Sequence, residues 1–208
     1  MGHILGTPCI APLVDKDLFN FEIKKDKNLT ALKKEIKKYN KVFLYAPTFR
    51  DSGSNFLKNL KFEIKKLNDI CQKKSILFLI KMHPWCNLNL KGKHSNIIIL
   101  DKTYDATICI GLSDIIISDY SSMFHNALAG NKKTILMHGD IDEYRNNNRD
   151  IYDWALDDLQ GHIINDFNDL YDIIKNKTKI KPIPQKIIDK YWDNTILKEP
   201  FKFLRIFK

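Results

Sequence analysis

Short apolar runs alternate with stretches of helical periodicity along most of the chain. The runs that predict strands are Val42–Ala46, Ile76–Ile80, Asn96–Leu100, Asp114–Ser118 and Thr134–Met137. Helical periods cover Leu29–Tyr39, Phe56–Cys71, Tyr104–Leu112, Ser121–Ala129, Asn168–Lys175 and Pro184–Trp192, and Gly130 follows one of them as a stop signal. Because strands that are apolar throughout are buried on both faces, this alternation predicts a parallel sheet with helices on both sides. The predicted fold class is α/β, a doubly wound Rossmann-like domain.

The same pattern divides the chain into three parts. Residues 1–40 predict a leading segment with an amphipathic helix, and residues 41–180 predict the Rossmann-like domain. Residues 181–208 predict a C-terminal helix followed by a tail of mixed basic and apolar side chains.

Composition and charge narrow the class of protein. The chain has 208 residues, of which 44% are hydrophobic and 28% are charged, as in a globular domain with a real core. The formal net charge is +9, with the basic residues concentrated before the acidic stretch 103–175. A basic first part suits phosphates, nucleic acid or an anionic membrane surface, or it reflects only a Lys- and Asn-rich composition. The cysteine spacing, the lack of a long apolar run and the lack of a signal peptide predict a cytoplasmic protein with reduced thiols.

Polar side chains follow three of the predicted strands, where ligands of doubly wound sheets bind. Thr48 and Arg50 follow the first strand, and Arg50 offers a planar cationic fork for phosphate oxygens. Lys81 and His83 follow the second strand, where the imidazole could protonate a leaving phosphate. The fourth strand is followed by a predicted helix start whose hydroxyls, amides and dipole favour anions, with Ser118, Asp119, Ser121 and Ser122.

Each of these signals also has an ordinary interpretation. Arg50 and Asp51 could form a surface pair, His83 could cap its loop, and the serines could only cap a helix. After the fifth strand, Asp142 and Glu143 could bind ribose hydroxyls or belong to a solvated acidic loop. The convergence of three signals on one sheet edge favours a phosphate-binding site.

Other motifs that would assign a chemistry are missing. The sequence has no phosphate-binding P-loop, no dinucleotide-binding glycine pattern and no serine nucleophile elbow. The histidines show no metal-ligand spacing, so neither a metal nor a cofactor is predicted. Nucleic acid is not a predicted partner, because the basic residues are not interleaved with aromatic stacking positions.

Four ordered motifs resemble those of the CDP-glycerol glycerophosphotransferase family, the teichoic-acid and capsule polymerases. They are YAPTFRD at 45–51, KMHP at 81–84, SDYSS at 118–122 and EYR at 143–145, with a downstream Tyr152-Asp153. The resemblance spans about Val42 to Asp153 and implies a GT-B-like architecture, in which two Rossmann-like halves face each other. This chain would be the C-terminal half, which binds the nucleotide donor.

The resemblance also implies roles for residues of this chain. The donor diphosphate would be held by Arg50, His83, Ser121 and Ser122, and the strand-end positions add four further predicted phosphate ligands, Thr48, Lys81, Ser118 and Asp119. From their positions after the second and fifth strands, His83 is the predicted catalytic residue of this half, and Asp142 and Glu143 are predicted to contact the nucleotide or ribose. The expected donor is CDP-glycerol or a related CDP-polyol. Transfer to a polymer or lipid-linked acceptor would release CMP and build a teichoic-acid-like or capsular polymer.

The sequence departs from the family pattern in two places. The family's base lies in an H-G-T-P motif of the other half, whereas Leu5 precedes Gly6-Thr7-Pro8 here, and His125 stands near a position that is usually acidic. The acceptor half is therefore expected to be absent, so that activity would need a separate acceptor-side domain. Two alternatives remain: a CMP-sugar glycosyltransferase of the GT-B sialyltransferase type, and a non-catalytic nucleotide-binding module. The tail at 201–208 could either touch the inner face of an anionic membrane or pack against another half.

Overall fold

The computed structural model describes residues 8–51, 56–83, 92, 94–148 and 151–192. Its strands are β1 (Lys41–Tyr45), β2 (Ile76–Lys81), β3 (Ile97–Leu100), β4 (Ile115–Ser118), β5 (Lys133–Met137) and β6 (His162–Ile164). Its helices are α1 (Ala11–Val14), α2 (Lys16–Lys25), α3 (Lys27–Ile36), α4 (Phe56–Asn59), α5 (Ile64–Lys74), α6 (Ala106–Leu112), α7 (Met123–Ala129), α8 (Ile141–Asn147), α9 (Asp153–Asp158), α10 (Phe167–Asn176) and α11 (Gln185–Tyr191). The tail at 201–208, for which a membrane contact was one prediction, lies outside the described residues.

All strands form one parallel sheet in the order β3-β2-β1-β4-β5-β6. Leu44 of β1 pairs with Leu79 of β2 on one side and with Ile116 of β4 on the other. The strand order reverses between β1 and β4, which is the switch point where doubly wound sheets bind their ligands. The predicted α/β fold class is confirmed.

The core has one layer on each face of the sheet. Phe43 and Tyr45 of β1 pack on the face that α5 and α10 cover, whereas Val42 and Leu44 pack on the face that α3 and α6 cover. Successive residues of the strand point to opposite faces of the sheet. Because both faces are buried, successive positions are apolar, and this produces the continuous apolar runs seen in the sequence. A third cluster joins α7 to α11 through Phe124 and Trp192.

The helical period predicted for Phe56–Cys71 is wrong as a single helix. α4 ends at Asn59 and α5 begins at Ile64, with Lys61 between them in the left-handed region at φ 57°. The N–H of Phe62 donates to the carbonyl oxygen of Leu57 at 2.9 Å, as in a Schellman motif. The ring of Phe62 then packs edge-on against Phe167 at 4.8 Å, so both flanking segments keep their apolar positions in the core.

Five of the helices and strands given above lay outside the predicted pattern: α1, α2, α8, α9 and β6. β6 is a three-residue edge strand on which Ile163 is 51% exposed, so it lacks the long apolar run of a central strand. Asp15 caps α2 by accepting from the N–H groups of Asp17 and Leu18. Within the described ranges, no helix combines the length and apolar character needed to cross a membrane.

Candidate phosphate-binding site

A cavity of about 300 Å³ opens beyond the carboxyl ends of β1, β2 and β4, beside the switch point of the sheet. Its lining comes mainly from the segments that follow these strands, together with one residue of α6: Ala46, Pro47, Thr48, Phe49, Lys81, Met82, His83, Ala106, Ser121, Ser122 and Met123. Five of the residues predicted from strand-end positions line this cavity: Thr48, Lys81, His83, Ser121 and Ser122. The topology therefore brings together side chains that lie up to 74 positions apart in the sequence, from Thr48 to Ser122.

Two cationic or protonatable side chains reach the cavity from the end of β2. Lys81 is largely buried, and its Nζ donates to the carbonyl oxygen of Asp101 at 3.0 Å. An ammonium group has three donors, so this hydrogen bond leaves capacity for a ligand. His83 is exposed and its ring centroid lies 5.3 Å from that of Phe49. The imidazole is therefore open to solvent at the mouth of the cavity.

The turn after β4 contributes hydroxyl groups. Ser121 Oγ accepts a hydrogen bond from the N–H of Met123 at 3.2 Å and retains its own proton for donation. Ser122 is exposed and makes no side-chain capping hydrogen bond to α7. α7 begins at Met123 and not at Ser121 as the sequence pattern predicted. Both serines therefore lie in the turn that precedes the helix.

Ser118 and Asp119 lie behind the cavity and do not line it. Ser118 is fully buried and its hydroxyl donates to the carbonyl oxygen of Ala46 at 2.9 Å. Asp119 accepts from the N–H of Thr48 at 2.9 Å and from its hydroxyl at 2.5 Å. Through these hydrogen bonds, both side chains join the turn after β4 to the turn after β1. They therefore hold in place the backbone segments that line the cavity.

Arg50 has the environment of a structural cross-link. It is 1% exposed and does not line the cavity. Its Nε donates to Asp140 at 2.8 Å, one terminal nitrogen donates to Asp119 at 2.8 Å, and the other donates to the carbonyl oxygen of Thr48 at 2.8 Å. The sequence predicted a phosphate ligand at this position, whereas the geometry favours a residue that positions the loops around the site.

Aromatic rings enclose the guanidinium group of Arg50. Its central carbon lies 4.4 Å from the ring centroid of Tyr144, 4.9 Å from that of Phe56 and 5.3 Å from that of Tyr120. Burial alone would lower the pKa of Arg50, but the neighbouring carboxylates outweigh burial and raise it above its ordinary value. Arg50 is therefore a permanent cation in an aromatic and carboxylate cage.

Asp140 is a member of this buried cluster that the sequence analysis did not single out. It accepts from Arg50 and, at 3.2 Å, from the hydroxyl of Tyr120. The available signal was its position just after β5, at the same sheet edge as the other polar residues. A side chain on Gly139 would overlap the carbonyl oxygen of Asn165, so the loop that presents Asp140 requires glycine there.

Asp142 and Glu143 lie on α8, outside the lining of the cavity. Glu143 accepts from the side-chain amide of Asn59 at 2.8 Å, and Asp142 is exposed. Their contact with a nucleotide or ribose therefore stays a prediction. Among the described residues, no group of three or more His, Cys, Asp or Glu side chains could hold a metal ion.

A parallel doubly wound sheet with a cavity at its switch point defines a Rossmann-like α/β domain. The family model for CDP-Glycerol:Poly(glycerophosphate) glycerophosphotransferase matches residues 10–194. The chain belongs to this family, and the resemblance stated from its motifs is confirmed.

Named relatives agree with this assignment. The chain is 30% identical over 145 residues to the teichoic acid ribitol-phosphate polymerase TarL of Staphylococcus aureus. This alignment covers 67% of the chain and 26% of TarL. It is 34% identical over 145 residues to a teichoic acid poly(glycerol phosphate) polymerase of Bacillus spizizenii, covering 64% of this chain and 36% of that protein.

A solved structure of the wall teichoic acid polymerase TagF superposes with a TM-score of 0.63 at 24% identity. The superposition covers 95% of this chain and 49% of TagF, and it supports the GT-B-like fold. A TagF variant soaked with CDPG superposes with a TM-score of 0.66 over 97% of this chain. The chain thus spans about half the length of TagF and a smaller share of the curated relatives.

Proposed function

We propose that this chain binds a CDP-polyol donor, CDP-glycerol or a ribitol analogue, for the synthesis of a teichoic-acid-like or capsular polymer with release of CMP. The observation that carries the proposal is the cavity at the switch point, where Lys81, His83, Ser121 and Ser122 converge in a member of this family. The proposed acceptor is a polymer or a lipid-linked chain. We also propose that the protein is cytoplasmic and peripheral at the inner face of the cell membrane.

In the proposed reaction, the cavity would neutralise the negative charge of the donor diphosphate. An acceptor oxygen would form a bond to the β-phosphorus of the donor while the bond from that phosphorus to the CMP oxygen breaks, and CMP would leave with the electron pair. Lys81 would stabilise the charge that develops on the leaving phosphate, and His83 as imidazolium would protonate it or donate a hydrogen bond. The hydroxyls of Ser121 and Ser122 would hold the diphosphate in place. The acceptor proton would pass to a base that the family resemblance assigns to the other half of the fold.

Isothermal titration calorimetry with CDP-glycerol, CMP and UMP tests the donor assignment. We expect CDP-glycerol and CMP to bind, and UMP to bind at least about tenfold more weakly, which corresponds to about 1.4 kcal/mol. No heat from any cytidine nucleotide at millimolar concentration would sink the proposal.

Variants of two histidines locate the binding. His83→Gln should weaken CDP-glycerol about tenfold or more, because a charge-assisted hydrogen bond to phosphate contributes about 1.5–3 kcal/mol. His94→Gln is the matched control, since His94 is also a described histidine but does not line the cavity. Equal losses in the two variants would place the nucleotide elsewhere.

A turnover assay separates the enzyme from the non-catalytic module. The chain would be incubated with radiolabelled CDP-glycerol and a poly(glycerol phosphate) acceptor, with and without an acceptor-side domain of a relative. Polymer growth that needs this chain and is lost in His83→Gln would support the transferase. Donor binding without growth in either mixture would favour the module.

A further inference from the structure

A second cavity, of about 410 Å³, lies at the opposite edge of the sheet from the phosphate-binding site. It opens beneath the amino ends of β1, β2, β4 and β5, between the C-terminal ends of α5 and α10. Its lining residues are Asn40, Lys41, Phe43, Lys74, Ile76, Ile115, Lys133, Ile173, Ile174, Lys177, Thr178, Lys179 and Ile180. No residue is shared with the cavity at the carboxyl edge, so the two are separate sites.

The floor of this cavity is apolar. Phe43 and Ile115 come from neighbouring strands, and Ile174 comes from the last turns of α10; all three are at least nine-tenths buried. Ile180 is partly buried and packs against the same cluster from the segment after α10. An aliphatic group bound here would contact only apolar side chains at the floor of the cavity.

The rim is cationic. Lys41, Lys74, Lys133, Lys177 and Lys179 all contribute to the lining, and the lining contains no Asp or Glu. Within the described ranges, none of these five ammonium groups forms an ion pair, whereas Lys61 at the other edge pairs with Asp166. Like charges at one cavity repel one another, so an anion bound among them would relieve this repulsion.

Helix ends account for only part of this charge. Lys74 lies in the last turn of α5, and Lys177 is the C-terminal cap of α10, where a cation is favoured by the helix dipole. Lys41 and Lys133 begin strands, and Lys179 lies in the segment after α10, so the dipole gives no reason for them. The three lysines converge on an apolar floor from separate elements, which is the arrangement of a binding site.

We propose that this cavity binds a phosphate-headed amphiphile with one short aliphatic chain. The chain would lie on the floor of Phe43, Ile115 and Ile174, and the lysine rim would hold the phosphate. The volume of 410 Å³ falls in the range of about 300–1,000 Å³ that is usual for small-molecule sites. A purely hydrophilic polyanion would leave the floor uncovered, and a neutral lipid would leave the lysines without a partner.

Titration of the full chain with octyl phosphate, below its critical micelle concentration, tests the site. NMR chemical shifts should change at 177–180 and at the first residues of β1 and β5. Inorganic phosphate and octyl glucoside should each bind at least about tenfold more weakly, because each supplies only one of the two recognised groups. Equal binding of inorganic phosphate would overturn the amphiphile in favour of a simple anion site.

Charge-matched variants locate the binding. The triple substitution Lys41→Gln, Lys133→Gln and Lys179→Gln should weaken octyl phosphate about tenfold or more. The control Lys16→Gln, Lys24→Gln and Lys34→Gln removes the same charge from exposed positions of α2 and α3, on the other face of the sheet, and should change the affinity less than about twofold.

A second variant tests the apolar floor of the cavity. Ile180→Glu keeps every lysine but puts a carboxylate at the floor, and it should abolish octyl phosphate binding while CMP binding persists. Octyl phosphate that competes with CMP, or that binds the parent and the rim variant equally, would overturn the proposal.

Discussion

At the scale of single residues, Arg50 joins three loops at the carboxyl edge of the sheet. Its hydrogen bonds reach Thr48 after β1, Asp119 after β4 and Asp140 after β5. The cation faces two carboxylates that are both buried, so each charge depends on the others for compensation. Thr48, which lines the cavity, is fixed by the same network through Asp119.

We therefore predict that Arg50→Met destabilises the chain by about 3–5 kcal/mol, because it leaves buried carboxylates without a partner. Urea unfolding followed by circular dichroism measures the change in the free energy of unfolding. Arg145→Met is the matched control, since Arg145 pairs with Asp153 at an exposed site and should contribute less than about 1 kcal/mol. Similar losses in the two variants would contradict the cross-linking role of Arg50.

His138 gives the stability of the folded chain a dependence on pH. Burial lowers the pKa of His138 below its ordinary value, and the nearby Asp119 and Asp140 offset this only in part. Its Nε2 is buried and has no hydrogen-bond partner among the described residues, and its ring stacks on Tyr120 at 5.3 Å. The folded state therefore favours the neutral imidazole.

The unfolded chain binds a proton at His138 more readily than the folded chain does. The contribution of His138 to the free energy of unfolding should therefore be fully present above the ordinary histidine pKa and should be lost as the pH drops through it. From about pH 7.5 to about pH 5.5 we expect a loss of the order of 1 kcal/mol after allowing for solvent screening. Urea titrations at both pH values measure it. His125, whose pKa burial also lowers, contributes in the same direction, so His138→Gln should reduce the loss without abolishing it. An unchanged loss in His138→Gln would contradict the assignment.

At the scale of elements, apolar runs predicted the central strands because these strands are buried on both faces. They could not predict the break at Lys61, because a left-handed residue leaves no mark in a hydrophobic period when the segments on both sides stay buried. β6 escaped prediction for the opposite reason, since an edge strand of three residues needs no long apolar run.

The same contrast holds for the site. His83 and Ser122 could be predicted from their positions after strands, because parallel topology alone brings strand ends together. The buried state of Arg50 could not, since its partner Asp140 lies 90 residues away and is selected by tertiary packing. Position at a strand end predicts proximity to the site but does not separate ligands from supports.

The C-terminal end of α5 gives a test at this scale. Its cap, Ser75, is left-handed at φ 54°, a conformation that costs a residue with a side chain about 1–2 kcal/mol. After the extra backbone entropy of glycine is subtracted, Ser75→Gly should raise the free energy of unfolding by about 0.5–1 kcal/mol. Ser95→Gly, at an exposed position without positive φ, should leave it unchanged or lower it. Equal shifts in urea unfolding would refute strain at Ser75.

At the scale of the whole molecule, the parallel sheet separates two kinds of chemistry. The carboxyl edge holds the cavity of Lys81, His83 and the serines, and the amino edge holds the lysine-rimmed cavity. The central strands β1, β2 and β4 contribute to both edges and to both core layers, so the two cavities lie at opposite ends of the same strands. Because the two cavities share no lining residue, the residues perturbed by a ligand show which edge of the sheet it binds.

The carboxyl edge of the sheet is the proposed binding site of the cytidine diphosphate donor. Titration with CDP-glycerol, followed by nitrogen–proton NMR correlation spectra, tests it most directly. We predict chemical-shift changes concentrated at 46–49, 81–83 and 121–123, with none at 177–180. Changes confined to the amino edge, or no change at a saturating concentration, would contradict it.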